Sequence, residues 1–266
     1  MWKLSPKLSA RTACLCNMER GKIYIQQSIK GDWMNQNCFA IAEGCKGLGF
    51  EVVPFNVYEA HALPVQKNDV VYGGIYATLE AFKTLKVALP ELINAHQLLP
   101  GFMGRKVWET TVGEIKHSST AEYPCFMKPL KDNKLFNGLV VQKPLFAALK
   151  LKALADETEI LVSEVVNFVT EYRCFVHNGS IVDVRYYKGN ARKIIDFNVA
   201  DQAVRALYKC PVAYTIDFGL TDTGSTQLIE INDGFGFGLY GLDFRKAIPM
   251  IFDRWDQIVG NQIQPS

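Results

Sequence analysis

The stretch Ala213–Asp233, AYTIDFGLTDTGSTQLIEIND, decides how the rest of the chain is read. Two β-rich runs, Ala213–Leu220 and Thr226–Asn232, flank a turn-forming segment containing Asp222 and Gly224, the pattern of a hairpin. A turn centred on Thr223-Gly224 would set Asp217 directly opposite Glu230 and Thr215 opposite Asn232. Side chains alternate along a strand, so Asp217, Glu230 and Asn232 then share one face. Ile216, Phe218, Ile229 and Ile231 form an apolar layer on the other face. Two facing carboxylates repel unless a cation lies between them. Oxygen donors of this kind suit Mg²⁺, which takes one or two carboxylates and completes its shell with phosphate oxygens. The hairpin therefore reads as a metal–nucleotide face or as the solvated polar face of an ordinary hairpin, and its own residues leave both open.

The chain around it bounds the choice. Its 266 residues allow one large domain or two modest ones with an ample core. At 48% hydrophobic and 21% charged residues, the composition is that of an ordinary soluble protein. A net charge of +2 gives no reason to expect a nucleic-acid or membrane partner. Seven cysteines without a CxxC pair form neither a disulfide framework nor a zinc pattern, so reduced thiols in a cytoplasmic protein are expected. No apolar run approaches the length of a membrane span. The sequence sets no oligomeric state.

Residues 1–20 stand apart, with Lys3, Lys7, Arg11 and Arg20 against the single acid Glu19. They loosely resemble an organelle transit segment but are short and poor in arginine. A disordered extension outside the fold is the expectation, and Met18 is an alternative start. From Gly21 strands and helices alternate: Lys22–Gln27, a helix over Asn35–Leu48, strands at Glu51–Phe55 and Val70–Tyr72, then a helix over Thr78–Ala88. This order predicts a small open α/β unit with parallel pairing, in which Gly73-Gly74 is either a ligand loop or a plain tight turn. His61, His96 and His117 lie apart in unlike contexts and form no catalytic pattern.

A second region begins near Gly104. Tyr123–Pro129 predicts a strand that presents Lys128 at its end, where Pro129 stops regular pairing. The polar loop Lys131–Gly138 follows, then a short strand at Leu139–Gln142 and a helix over Pro144–Ala155. A lysine beside such a loop can neutralise phosphates, though loop lysines are usually just solvated. Ile160–Val166 predicts a buried strand whose one charge, Glu164, needs a partner or a ligand. Asn178-Gly179 is a strong hairpin signal between Glu171–His177 and Ser180–Tyr187. A type I′ turn there pairs Arg173 with Val184, placing Arg173 and Lys188 on one face and Arg185 on the other. If both arginines serve one site, a bulge or strong twist must intervene; otherwise one is structural. Asp196 caps a helix with an apolar face at Phe197, Ala200, Val204 and Leu207. After the acidic hairpin, Gly234–Gly241 is glycine-dense, and a helix around Met250–Val259 closes the chain.

Two short matches are rejected. Asp217-Phe218-Gly219 copies the metal-holding triplet of protein kinases, yet the HRD catalytic loop is absent and the glycine-rich stretch follows the triplet instead of preceding it. Gly234-x-Gly236-x-Gly238 imitates a dinucleotide fingerprint without its helix, its downstream acid or its last spacing.

The ordered series PCFMKP, KLFNG, ILVSEVV, EYRCFV, VDVRYYKG, TIDFG and IEIND resembles the ATP-grasp superfamily, and within it the clade named for two arginines and a lysine. The resemblance implies an α/β (α+β) fold, with a pre-ATP-grasp open α/β domain over 21–103 and an ATP-grasp domain over 104–266. The latter would comprise two subdomains hinged near 164–167. It implies ATP and one or two Mg²⁺ ions as cofactors. Lys128 would contact phosphates, with Lys134 and Gly138 in the loop closing over them. Glu164, Val165 and Val166 would meet the adenine edge, and Glu171 the ribose. Arg173, Arg185 and Lys188 would lie near the γ-phosphate and acceptor as catalytic residues, and Asp217, Glu230 and Asn232 would hold metal. The chemistry implied is ADP-forming ligation of a small-molecule or peptide carboxylate to an amine or other nucleophile, through an acylphosphate. The alternatives are phosphoryl transfer to a non-carboxylate acceptor and a non-catalytic nucleotide-binding module.

Overall fold

The computed structural model describes residues 20–117, 123–131, 135–208 and 210–260. Lys134, and all of the expected N-terminal extension except Arg20, lie outside the described residues.

The N-terminal unit is built on three parallel strands in the order β2-β1-β3: β1 (Ile23–Gln27), β2 (Val52–Asn56) and β3 (Val70–Tyr72). Helix α1 (Gln36–Gly47) starts where Asn35 Oδ1 accepts Cys38 N at 3.0 Å, a side-chain N-cap. Pro54 sits within β2 and does not end it; β2 is an edge strand, where a missing N–H is tolerated. Helix α2 (Ile75–Thr84) starts and stops a few residues earlier than its apolar spacing predicts. It stops because Lys86 takes a left-handed φ of 56° and the Val87 N–H turns back to Phe82 O. A short helix α3 (Ala95–Leu98) leads out of the unit.

The rest of the chain forms two four-stranded antiparallel sheets. The first, in the order β4-β7-β5-β6, contains β4 (Val107–Thr111), β5 (Cys125–Pro129), β6 (Leu139–Val141) and β7 (Glu159–Glu164). Helices α4 (Val112–His117) and α5 (Pro144–Lys150) cover its outer face through Val112, Ile115, Ala147 and Leu151. Helix α5 ends before the expected Ala155. Lys116 Nζ binds Leu154 O at 3.0 Å and Asp156 Oδ1 at 2.9 Å, and these tertiary bonds hold the chain in a turn. Pro129 remains paired with Ile160, so β5 runs one residue further than a proline stop allows.

The second sheet, in the order β11-β10-β8-β9, contains β8 (Phe168–His177), β9 (Ser180–Gly189), β10 (Ala213–Thr221) and β11 (Thr226–Asp233), with α6 (Phe197–Ala206) packed on one face. Asn178 and Gly179 take φ of 50° and 71°, the two left-handed residues of a type I′ turn. Register then shifts twice along β8 and β9, and Arg173 stands opposite Arg185 instead of Val184. The shift between Phe175 and Val176, the one nearer the turn, puts both arginines on one face, which the unshifted pairing forbids.

In the acidic hairpin two departures cancel. The loop is Asp222-Thr223-Gly224, closed by Thr221 N to Ser225 O at 2.8 Å, which displaces the register by one beside the turn. A bulge at Ile229 restores it, so Asp217 faces Glu230 and Thr215 faces Asn232 as expected. The correction falls on the apolar layer: Leu228, not Ile229, is buried in the core, and Ile229 lines the cleft.

The last helix, α7 (Phe244–Gly260), lies within the 104–266 span but packs in the N-terminal core. Ile248, Ile251, Phe252 and Trp255 join Ile23, Ile25, Ile41 and Phe82 in one cluster. Arg20, set aside with the extension, belongs to this fold: its side chain is 3% exposed, it donates to Asp256 Oδ1 at 2.8 Å and it covers the Phe252 ring at 4.5 Å.

Gly189 ends β9 with φ of 93°, and a Cβ there would stand 2.3 Å from Val169 O. Gly189→Ala forces a left-handed alanine against main chain that has no soft atom to move. Urea unfolding is expected to show a loss of about 2 kcal/mol or more.

Candidate active site

A cleft of about 970 Å³ runs between the two antiparallel sheets. Strand alternation selects its walls. On β5, Cys125 and Met127 go to the core beneath, so Phe126 and Lys128 face the cleft. The cross-strand partners of these two, Ser163 and Leu161 on β7, line it with them. The opposite wall is the face of the second sheet that carries Glu171, Lys188, Ile229, Glu230 and Asn232. The connector Glu164–Asn167 between β7 and β8 joins the walls at one end. One cleft thus offers an apolar slot (Phe126, Val140, Leu161, Ile229) and, from the same strands, lysines, carboxylates and an amide.

The acidic pair is bridged by a cation, but that cation is a side chain. Asp217 is 1% exposed, and both its oxygens are engaged by Arg173, Nε to Oδ1 at 2.8 Å and Nη2 to Oδ2 at 2.7 Å. Arg173 Nη2 lies 3.8 Å from Glu230 Oε1, which accepts Asn232 Nδ2 at 2.9 Å. Burial pushes the Asp217 carboxyl up, to about 6, against the pull of Arg173, with Glu230 and Glu171 adding to the rise. Arg173 is desolvated too, yet the bonds and charges of Asp217 hold its pKa above the ordinary value. The bidentate geometry marks the pair as ionised at neutral pH. Tyr187 and Tyr240, stacked on each other at 4.9 Å, flank the guanidinium at 5.8 and 5.0 Å, and Gly238 O accepts Nη1 at 3.4 Å.

The other expected site residues fall as follows. Lys128, Val165 and Val166 line the cleft. Gly138 lies beside it, where a Cβ would meet the Phe126 ring at 2.5 Å, so a side chain there would displace a wall of the slot. Glu164 is exposed and not buried: Oε2 accepts Lys106 N at 2.8 Å and its own N–H donates to Lys106 O at 3.1 Å, tying β7 to β4 at the connector. Glu171 is buried and accepts Lys188 Nζ at 2.6 Å and Tyr187 Oη at 2.8 Å. Arg185 shares its face with Arg173, and Nη2 donates to Asp183 Oδ2 at 3.1 Å, an oxygen that Lys246 Nζ also binds at 2.6 Å.

Sequence reasoning missed three groups. Arg254 of α7 grips Asp233 from Nε and Nη2 at 2.7 and 2.6 Å, fixing the end of β11 next to Asn232. Tyr240 packs over Arg173 with a left-handed φ of 45°. Arg105 lines the cleft and donates to the carbonyls of Met103 and Leu228 at 2.9 and 2.8 Å. Each depends on residues far apart in sequence; only the glycine density of 234–241 hinted at the second.

As donors for a divalent cation, Glu230 and Asn232 are hard oxygen ligands open to the cleft. Asp217 stands on the same face, with both of its oxygens held by Arg173. Among the described residues, no group of three or more His, Cys, Asp and Glu side chains is gathered as a metal site. By donor chemistry, Glu230, Asn232 and Asp217 would suit Mg²⁺ as two carboxylates and one amide; in the structure Arg173 supplies the positive charge between the two carboxylates.

A three-stranded parallel unit ahead of two antiparallel sheets that enclose a cleft with this polar set is the architecture of an ATP-grasp protein. Residues 102–250 match the ATP-grasp domain of the clade named for two arginines and a lysine, family 2, and the chain belongs to that family. Among solved structures, it is similar to D-alanine–D-alanine ligase from Bacillus anthracis complexed with ATP (TM-score 0.57, 14% identity, 91% of this chain and 99% of that one). It is also similar to N5-carboxyaminoimidazole synthetase from Staphylococcus aureus (TM-score 0.56, 15% identity, 93% and 79% covered). A third is a RimK domain ATP-grasp protein from Sphaerobacter thermophilus (TM-score 0.53, 14% identity, 90% and 98% covered). Comparison with curated proteins found no match. Among the described residues, no helix is long and apolar enough to cross a membrane.

Proposed function

We propose that the protein is an ATP-dependent, ADP-forming ligase that joins a small-molecule or peptide carboxylate to an amine or another nucleophile. The observation that carries this reading is the single cleft shared by Lys128, Lys188, Glu171, Glu230 and Asn232. Family membership, and fold neighbours named as a ligase and a synthetase, support it. The purine of ATP would lie in the apolar slot, with its edge on the backbone of Val165 and Val166 and its ribose near Glu171. Lys128 would hold phosphate oxygens as a point charge, with Gly138 keeping the wall at Phe126 clear. Glu230, Asn232 and Asp217 would hold one or two Mg²⁺ ions, which, when bound, neutralise phosphate charge. A substrate carboxylate oxygen attacks the γ-phosphorus and the bond to ADP breaks. The amine nitrogen then attacks the acyl carbon, phosphate departs and the amine loses a proton. Arg173 and Arg185, side by side on one face, would offset the charge that builds on the transferring group, with Lys188 beside them. No nucleophile from the protein is needed. The five described cysteines are free thiols, which suits a cytoplasmic setting.

Phosphate release screened against pools of acids and amines tests the reading. A ligase forms ADP only when both substrates are present. Turnover with an acceptor lacking a carboxylate would mark a phosphotransferase. Tight ATP binding with no turnover on any pool would mark a binding module, the reading that the closed Arg173–Asp217 pair favours. Lys128→Met is expected to weaken ATP binding by about 10- to 100-fold, the worth of one hydrogen bond to a charged group, in a calorimetric titration.

A further inference from the structure

The hairpin face that carries the cation donors holds a fourth polar side chain. Thr215 lies two residues before Asp217 on β10, on the same face, and opposite Asn232 on β11. It is fully buried, and its Oγ1 has no hydrogen-bond partner among the described residues. Phe175, its neighbour on β8, is apolar and also fully buried, so no polar group faces the hydroxyl from that side. A hydroxyl taken from water with nothing to bind is a net cost, and such a group calls for a state in which it is paired.

Asn232 supplies that state. Its Nδ2 now donates to Glu230 Oε1 at 2.9 Å, the arrangement that suits a carboxylate with no metal on it. A cation shared by Glu230 and Asn232 requires the amide oxygen on that side instead. Turning the amide about its last torsion exchanges the two atoms and points the NH₂ away from Glu230. The residue directly across the ladder from Asn232, with its side chain on the same face, is Thr215. We propose that Thr215 is a positioning residue for the cation site: its Oγ1 accepts the Asn232 Nδ2–H when that amide turns its oxygen to a divalent cation held with Glu230. The inference rests on the metal reading above. It adds the group that holds the ligating orientation of the amide, as partners behind metal ligands do.

The test measures Mn²⁺ uptake by the full chain in the presence of ADP, by electron paramagnetic resonance, together with the cation-free melting midpoint. Thr215→Val keeps the shape and removes the hydroxyl. Its Mn²⁺ affinity is expected to fall about 10- to 100-fold, and its cation-free midpoint to stay or rise. Thr215→Ser, which keeps the hydroxyl, is expected to recover the affinity. Parental affinity in Thr215→Val overturns the inference and leaves the metal reading standing. A cation-free midpoint that falls in Thr215→Val and recovers in Thr215→Ser overturns it too, since the hydroxyl would then be structural. If the parent protein takes up no Mn²⁺ with ADP, the metal reading itself fails.

Discussion

Arg173→Met is expected to lower the unfolding free energy by about 3–5 kcal/mol, the range found when one partner of a buried ion pair is removed. The cost arises mainly at Asp217. That carboxylate is 1% exposed, and Arg173 binds both of its oxygens. Methionine fills much of the space but leaves the charge without compensation beside Glu230 and Glu171, which already raise its pKa. A melting midpoint lower by roughly 10 °C corresponds to that loss in a chain of this size. The sign of its pH dependence follows from the same group. With its pKa raised in the folded state, Asp217 binds a proton more readily folded than unfolded. Stability of the variant therefore falls as pH rises from about 4 through the folded value, and the deficit against the parent narrows in acid. Arg173→Met combined with Asp217→Leu removes both charges and is expected to recover most of the loss. Denaturant titrations of the three proteins decide the matter. A single variant as stable as the parent would mean that the pair does not hold the sheet.

Glu230→Gln separates chemistry from folding. The Glu230 side chain is 38% exposed, and the oxygen that accepts Asn232 Nδ2 survives in glutamine, so the melting midpoint should hardly move. The lost charge removes the 3.8 Å ion pair to Arg173 and relieves the repulsion of Asp217, and beyond these it bears on the proposed cation and the phosphates it would neutralise. Removing one preorganised electrostatic contact of this kind lowers turnover by about 10²–10³-fold. The expected result is ADP formation reduced to that extent, with ATP binding in the absence of Mg²⁺ retained. Turnover equal to the parent's would take the metal role away from this face of the hairpin.

The features legible from sequence are those set by neighbours along the chain. The Asn178-Gly179 turn, the cap at Asp196 and the parallel pairing of the first three strands each follow from residues a few places apart. The facing of Asp217 and Glu230 was also legible, though through compensation: a longer loop shifted the register and a bulge shifted it back. Bulges answer to packing on both faces of a sheet, so strand alternation alone put Ile229 in the core and separated Arg173 from Arg185. The groups around Arg173 were out of reach for a different reason. Tyr240 and Gly238 come from a loop whose path is set by contacts as distant as Leu239 N to Asn37 Oδ1. Periodicity carries no information about such contacts. Likewise, nothing in the run around Met250 announces that Arg254 will reach Asp233.

The placement of α7 also bears on how the protein is made. Strands β1–β3 and helices α1 and α2 leave the ribosome before either antiparallel sheet, yet the core they form also needs Phe252 and Trp255, and Arg20 must wait for Asp256, 236 positions later. Domains are usually completed as they are synthesised, the N-terminal one first. Here the earlier unit remains open, with apolar surface uncovered, while both sheets are translated. The nascent chain is accordingly expected to engage holding chaperones until α7 is released, and a ribosome stalled before residue 244 should display an N-terminal unit that proteases cut readily.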